Sequence, residues 1–130
     1  MALPPLNPKS LAGRIRQHAL TFPSAVEEFP WGERAIKVKT KAFLFMRAEG
    51  NTLSFSVKLP ESAAEALELP GVEPTGYGLG KHGWVTVKAD TSREASVSTY
   101  LSWIDESYRA VAPKKLVAQL DTSSRTSQQD

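Results

Sequence analysis

The chain has 130 residues, enough for one domain with one modest core, and its 41% hydrophobic and 23% charged content is that of an ordinary globular protein. Sixteen Lys and Arg against fourteen Asp and Glu leave a net charge of only +2, too small to imply nucleic-acid binding by itself. Cysteine is absent, which excludes disulfides, thiolate metal sites and cysteine nucleophiles. No apolar run approaches the roughly 20 residues that span a bilayer, and Met1–Pro5 lacks the features of a signal peptide, so a cytoplasmic location without membrane association is the expectation.

Asn7 and Pro8 read as the cap and first position of a helix whose apolar stripe is Leu11, Ile15, His18, Ala19 and Phe22, ended by Pro23. Ser24 to Phe29 reads as a turn or a short helical link, and Pro30-Trp31-Gly32 as a break. Arg34 to Thr40 alternates Ile36 and Val38 with Lys37 and Lys39, as a strand does. Ala42 to Ala48 is apolar on both faces, the pattern of a central strand. Glu49-Gly50-Asn51 turns the chain into Thr52 to Leu59, where Leu53, Phe55, Val57 and Leu59 alternate with Ser54, Ser56 and Lys58. These three strands form an antiparallel meander.

Glu61 to Glu68 predicts a short helix stopped by Pro70-Gly71. Gly71 to Gly83 reads as a glycine-rich loop, and Trp84 to Ala89 as a fourth strand with Trp84, Thr86 and Lys88 on one face. Asp90 or Ser92 caps the longest helix, with a stripe of Val97, Leu101, Ile104, Tyr108 and Val111, broken at Pro113. Lys114 to Leu120 adds a turn or two of helix. The segment "DTSSRTSQQD" from Asp121 has no apolar residue. A single domain over 1–121 with a disordered polar tail over 122–130 follows. The order α-β-β-β-α-β-α predicts an α+β fold, an antiparallel sheet with helices on one face and the other face partly in water.

Gly78-Leu79-Gly80-Lys81-His82-Gly83 spells G-x-G-x-x-G. A dinucleotide site needs a helix after the glycines, since helix amides hold the pyrophosphate, but Trp84-Val85-Thr86-Val87 is strand. The stretch is therefore a loop that presents Tyr77, Lys81 and His82. Neither His18 nor His82 has a carboxylate at ligand spacing, so no metal or other cofactor is expected. Glu27-Glu28 reads as a solvated turn or as ion-pair partners of Arg34 or Lys37, and Tyr108 as a core tyrosine whose hydroxyl reaches a partner. No nucleophile–base pair is spelled out, so an enzyme is not expected.

The charges are sorted along the chain. Residues 34–58 carry Arg34, Lys37, Lys39, Lys41, Arg47 and Lys58 against Glu49, whereas residues 59–75 carry four glutamates and no base. If the strand faces coincide, lysines, serines, a threonine and the Trp84 indole share one surface, where cations neutralise phosphates and an aromatic stacks on a base. Lys37, Lys39, Lys58, Lys81, His82, Trp84 and Lys88 are the candidate nucleic-acid contacts. The alternative is a protein- or small-ligand-interaction module built on the Gly71–Gly83 loop and Trp31.

The stretches "FPSAVEEFPWGERAIKVKTKAFLFM", "LSFSVKL", "GLGKHGWVTV" and "LSWIDESYRAV" together resemble the MmcQ/YjbR family, whose fold is related to that of CyaY, the bacterial frataxin. The matching positions are Pro23, Glu28 and Gly32, then Lys41 and Lys58, then Lys81-His82-Gly83-Trp84, and Ser107-Tyr108. The resemblance covers roughly residues 8–112 and implies an α+β domain described as a double-wing DNA-binding fold, with no established reaction. DNA is then the favoured partner and the chain a monomer or weak dimer. A frataxin-like iron role would need acids on the first helix, which carries Lys9, Arg14 and Arg16 instead.

Overall fold

A computed structural model of the protein describes residues 9–29, 33–49, 51–76, 78–90 and 97–120. The expected Asn7 cap, the Pro30-Trp31-Gly32 break, Ser92 and the polar tail lie outside them. Helix α1 spans Leu11–Leu20 and is capped by Ser10, whose hydroxyl accepts from the Gly13 amide at 3.0 Å. Strands β1 (Ala25–Glu28), β2 (Arg34–Val38), β3 (Lys41–Glu49) and β4 (Thr52–Lys58) follow, then helix α2 (Ala63–Ala66). Strand β5 (Val72–Pro74), a 3-10 turn (Leu79–His82), β6 (Trp84–Asp90) and α3 (Val97–Val111) complete the order, and residues 114–120 form α4. Among the described residues no helix is long and apolar enough to cross a membrane.

The six strands form one antiparallel sheet in the order β1-β2-β3-β4-β6-β5. Two of them correct the sequence reading. Ser24 to Phe29 is not a turn or helical link: Ala25–Glu28 pairs with β2 along its whole length. Nor is Gly71 to Gly83 a plain loop, since Val72–Pro74 pairs with β6 and Leu79–His82 closes a 3-10 turn. Pro74 is tolerated because β5 is an edge, where one side of the backbone has no ladder partner.

One face of the sheet carries the core. Leu53, Phe55 and Val57 of β4 stand beside Val85 and Val87 of β6, and Ile15 of α1 with Ile104 and Tyr108 of α3 close over them. The buried side of α3 is Trp103, Ile104, Ser107 and Tyr108, rotated from the expected stripe, so Val97, Leu101 and Val111 lie at its margins. Helix α2 is shorter than its alanine-rich sequence suggests. Its start is held from outside, by the Glu106 carboxylate accepting from the Glu61 and Ser62 amides at 2.9 and 3.0 Å.

Strand β3 is apolar on both sides for a reason that alternation hides. The β2–β3 register shifts between Ile36 and Lys37, which leaves Phe43 as an extra residue in β3. Phe43 turns to the helix side, against Phe22 and Tyr108 with ring centroids 5.9 and 5.1 Å away, and joins Leu44 and Met46 in the core. Phe45 is then left on the opposite face, 5.7 Å from Trp84.

Candidate nucleic-acid interface

The helix-free face can be laid out from the strand register. Arg47 of β3, Ser54 of β4 and Lys88 of β6 stand side by side. The next row is Phe45, Ser56, Thr86 and Glu73, and beyond it Lys58 lies opposite Trp84. The β4 and β6 faces expected to coincide therefore do, whereas Lys39, expected to share a strand face with Lys37, lies beyond the end of β2 in the turn to β3. Three hydroxyls are linked across this surface, Ser56 to Thr86 at 2.8 Å and Thr86 to Thr75 at 3.0 Å. Arg47 and Thr75 were not among the sequence candidates. Arg47 could have been found from its parity with Phe45, whereas Thr75 became visible only once β5 was paired.

The seven sequence candidates are not equivalent. Lys37 shares this face but pairs with Glu28 at 3.1 Å, and Lys88 pairs with Glu73 at 3.1 Å. Their charges are partly cancelled by acids on the two edge strands. Trp84 is buried, 8% exposed, and lies against Phe45, so its indole is not a free stacking plane. Among the described residues Lys39, Lys58, Lys81 and His82 enter no ion pair.

Topology brings those four together. Strand β2 ends, β3 begins, β4 ends and β6 begins at the same end of the sheet, as the pairs Val38–Lys41 and Lys58–Trp84 fix. Lys39 is on the β2–β3 turn at that end. Lys81 and His82 are exposed on the 3-10 turn directly before β6, between Gly78 and Gly83 at φ +78° and +87°. The Gly83 carbonyl accepts the Leu59 amide at 2.8 Å, which ties this turn to the end of β4. The G-x-G-x-x-G glycines thus shape a turn beside the sheet. Tyr77, expected on this loop, and Trp31, named in the alternative reading, lie outside the described residues.

Other singled-out side chains have structural partners. Glu27 accepts from Arg16 Nε and Nη2 at 2.7 and 2.8 Å and from Arg34 Nη1 at 3.2 Å. The Arg16 guanidinium, and then Arg34, hold the Glu27 carboxyl below the usual carboxylate range, against the opposing effect of burial; Arg16 is raised in turn by Glu27. Glu28 with Lys37 and Glu27 with Arg34 are the ion pairs expected from the sequence. His18 Nε2 lies 2.8 Å from Asp105 Oδ1, and its ring packs edge-on to Phe22. Tyr108 donates to the Pro23 carbonyl at 2.8 Å, and burial pushes its phenol up. Among the described residues no three His, Asp or Glu side chains gather as a metal site.

A family model described as YjbR matches residues 20–110. Among solved structures, the chain is similar to the Deinococcus radiodurans protein DR2400, described with a DUF419 domain, at 22% identity over 78% of each chain and a TM-score of 0.64. A protein from Pseudomonas syringae is similar at 18% identity over 67% of this chain and 86% of its own, with a TM-score of 0.49. No curated protein matches. The match to DR2400 supports the α+β fold with its antiparallel sheet.

Proposed function

The chain belongs to the YjbR family across residues 20–110, and from that premise we propose that it is a nucleic-acid-binding protein, favouring DNA, that contacts phosphates with the basic end of its sheet. The observation that carries the reading is the gathering of Lys39, Lys58, Lys81 and His82 at one end, none of them in an ion pair among the described residues. A cation already held by a carboxylate must give up that partner to meet a phosphate, whereas an unpaired one loses only water and counterions. Lys37 and Lys88 are second-rank contacts on this argument. The Ser54, Ser56, Thr75 and Thr86 hydroxyls offer hydrogen bonds to phosphate or sugar along the adjoining face.

The reading makes the protein a binding module rather than an enzyme. The Ser107 and Tyr108 hydroxyls are committed to the Phe43 and Pro23 carbonyls, and His18 to Asp105. Fluorescence anisotropy with labelled duplex and single-stranded DNA across a salt series tests it. About three to four phosphate contacts give a log–log salt slope of roughly −3. Lack of binding to either probe at low salt would sink the proposal.

A further inference from the structure

We infer that Lys39, Lys41, Lys114 and Lys115 form a second phosphate-contact set, on the side of the β2–β3 turn that faces α3, and that it carries bound DNA around the end of the sheet. The inference rests on the nucleic-acid reading above. A cavity of about 200 Å³ separates the turn from the end of α3 and is lined by Val38, Lys39, Thr40, Lys41, Val111 and Pro113. Its lining holds two lysines and no carboxylate. Pro113 breaks the helix there, and Lys114 and Lys115 follow it directly. Their backbone is fixed, because the Pro113 carbonyl accepts the Leu116 and Val117 amides at 3.0 and 3.2 Å and the Leu116 side chain is buried in the core. All four lysines are exposed, and among the described residues none enters an ion pair. Four lysines on adjoining segments, with no carboxylate in the cavity lining between them, favour a shared anion.

The backbone supplies an independent sign. Val38 pairs with Lys41, so Lys39 and Thr40 are the two loop residues of a hairpin, and Lys39 sits at φ +60°. Glycine occupies such a position without steric cost, and a lysine does not. The turn therefore accepts backbone strain to keep a cation at its tip. This set and the Lys58–Lys81–His82 set lie at the same end of the sheet, on either side of the β2–β3 turn, so a duplex long enough reaches both.

The test is anisotropy with two labelled hairpin duplexes, one of about 8 and one of about 24 base pairs, each over a salt series. Three proteins are compared: the unmodified chain, the Lys114→Glu/Lys115→Glu double variant and Lys39→Gly. The double variant is expected to bind the long duplex about tenfold or more weakly, with a salt slope shallower by about 1 to 2, and to bind the short duplex as before. Lys39→Gly is expected to melt at the same or a higher temperature while binding the long duplex less well. The inference is overturned if the double variant binds the long duplex like the unmodified protein, or if both lengths lose affinity equally. Absence of binding by the unmodified chain overturns the nucleic-acid reading itself, and this inference with it.

Discussion

The Ser107 hydroxyl donates to the Phe43 carbonyl at 2.6 Å and accepts the Lys58 amide at 2.8 Å. The Phe43 carbonyl belongs to the residue that the bulge leaves without a ladder partner, and the Lys58 amide lies at the last residue of β4. One fully buried hydroxyl thus closes the gap between two strands and fastens both to α3. Ser107→Ala strands both backbone groups away from water. It is expected to destabilise the fold by about 2 kcal/mol, read as a lower urea midpoint with an unchanged slope.

The Glu27 carboxylate is the hub that secures edge strand β1, and its partners reach it from α1 and β2. Its folded pKa is lowered, so its contribution to stability is present above the unfolded carboxylate value of about 4.3 and is lost as pH falls through the lower folded value. Glu27→Gln is expected to be less stable than the unmodified protein at pH 7 by about 2 kcal/mol. The difference should shrink as pH falls below about 4. Thermal unfolding of both proteins from neutral to acid pH checks the sign; a gap that widens in acid contradicts it.

Glycine substitutions should rank by geometry. Gly71 has φ +80°, and a Cβ there would come within 2.6 Å of the Lys88 carbonyl oxygen. Gly83 has φ +87°, with the Leu59 carbonyl oxygen 3.2 Å from such an atom. Gly76 has open space around it and no left-handed φ. Alanine is expected to cost most at Gly71, about 1–2 kcal/mol at Gly83, and close to nothing at Gly76. Melting temperatures of the three variants decide it.

Ion pairs on the sheet face set the sign of a binding prediction. Glu73→Gln releases Lys88 from its carboxylate partner at 3.1 Å, and Glu28→Gln does the same for Lys37. Each is expected to tighten DNA binding a few-fold and steepen the salt slope by up to about 1. Lys58→Glu, which removes an unpaired cation, should weaken it. Anisotropy at one low salt concentration orders the variants, and tighter binding by Lys58→Glu would contradict the assignment.

Much of this arrangement was legible in the sequence because alternation survives wherever a strand has one wet face. Leu53, Phe55 and Val57 against Ser54, Ser56 and Lys58 placed the last three on the surface that also holds Trp84 and Lys88. What alternation could not reach were β1 and β5. Ala25–Glu28 carries two acids in four residues, and its extended shape depends on β2 and on arginines from other elements. Val72–Pro74 is three residues long and ends in proline. Missing β5 also hid Glu73, the acid that neutralises Lys88, whereas the Glu28–Lys37 pair was expected. The bulge at Phe43 was invisible for a related reason: in Phe43-Leu44-Phe45-Met46 alternation puts Phe43 and Phe45 on one face, and a run apolar on both faces looks the same with or without an extra residue in the ladder.

The shortness of the two outermost strands matters beyond the site. An open sheet tends to grow sideways by recruiting another chain's backbone, the first step toward aggregates. Here one rim is four residues long with two carboxylates, and the other is three residues long and carries Pro74. Neither offers a lengthy run of free amides to a second copy. The helix-free face can thus lie open between its two rims without the sheet inviting a second copy to extend it strand by strand.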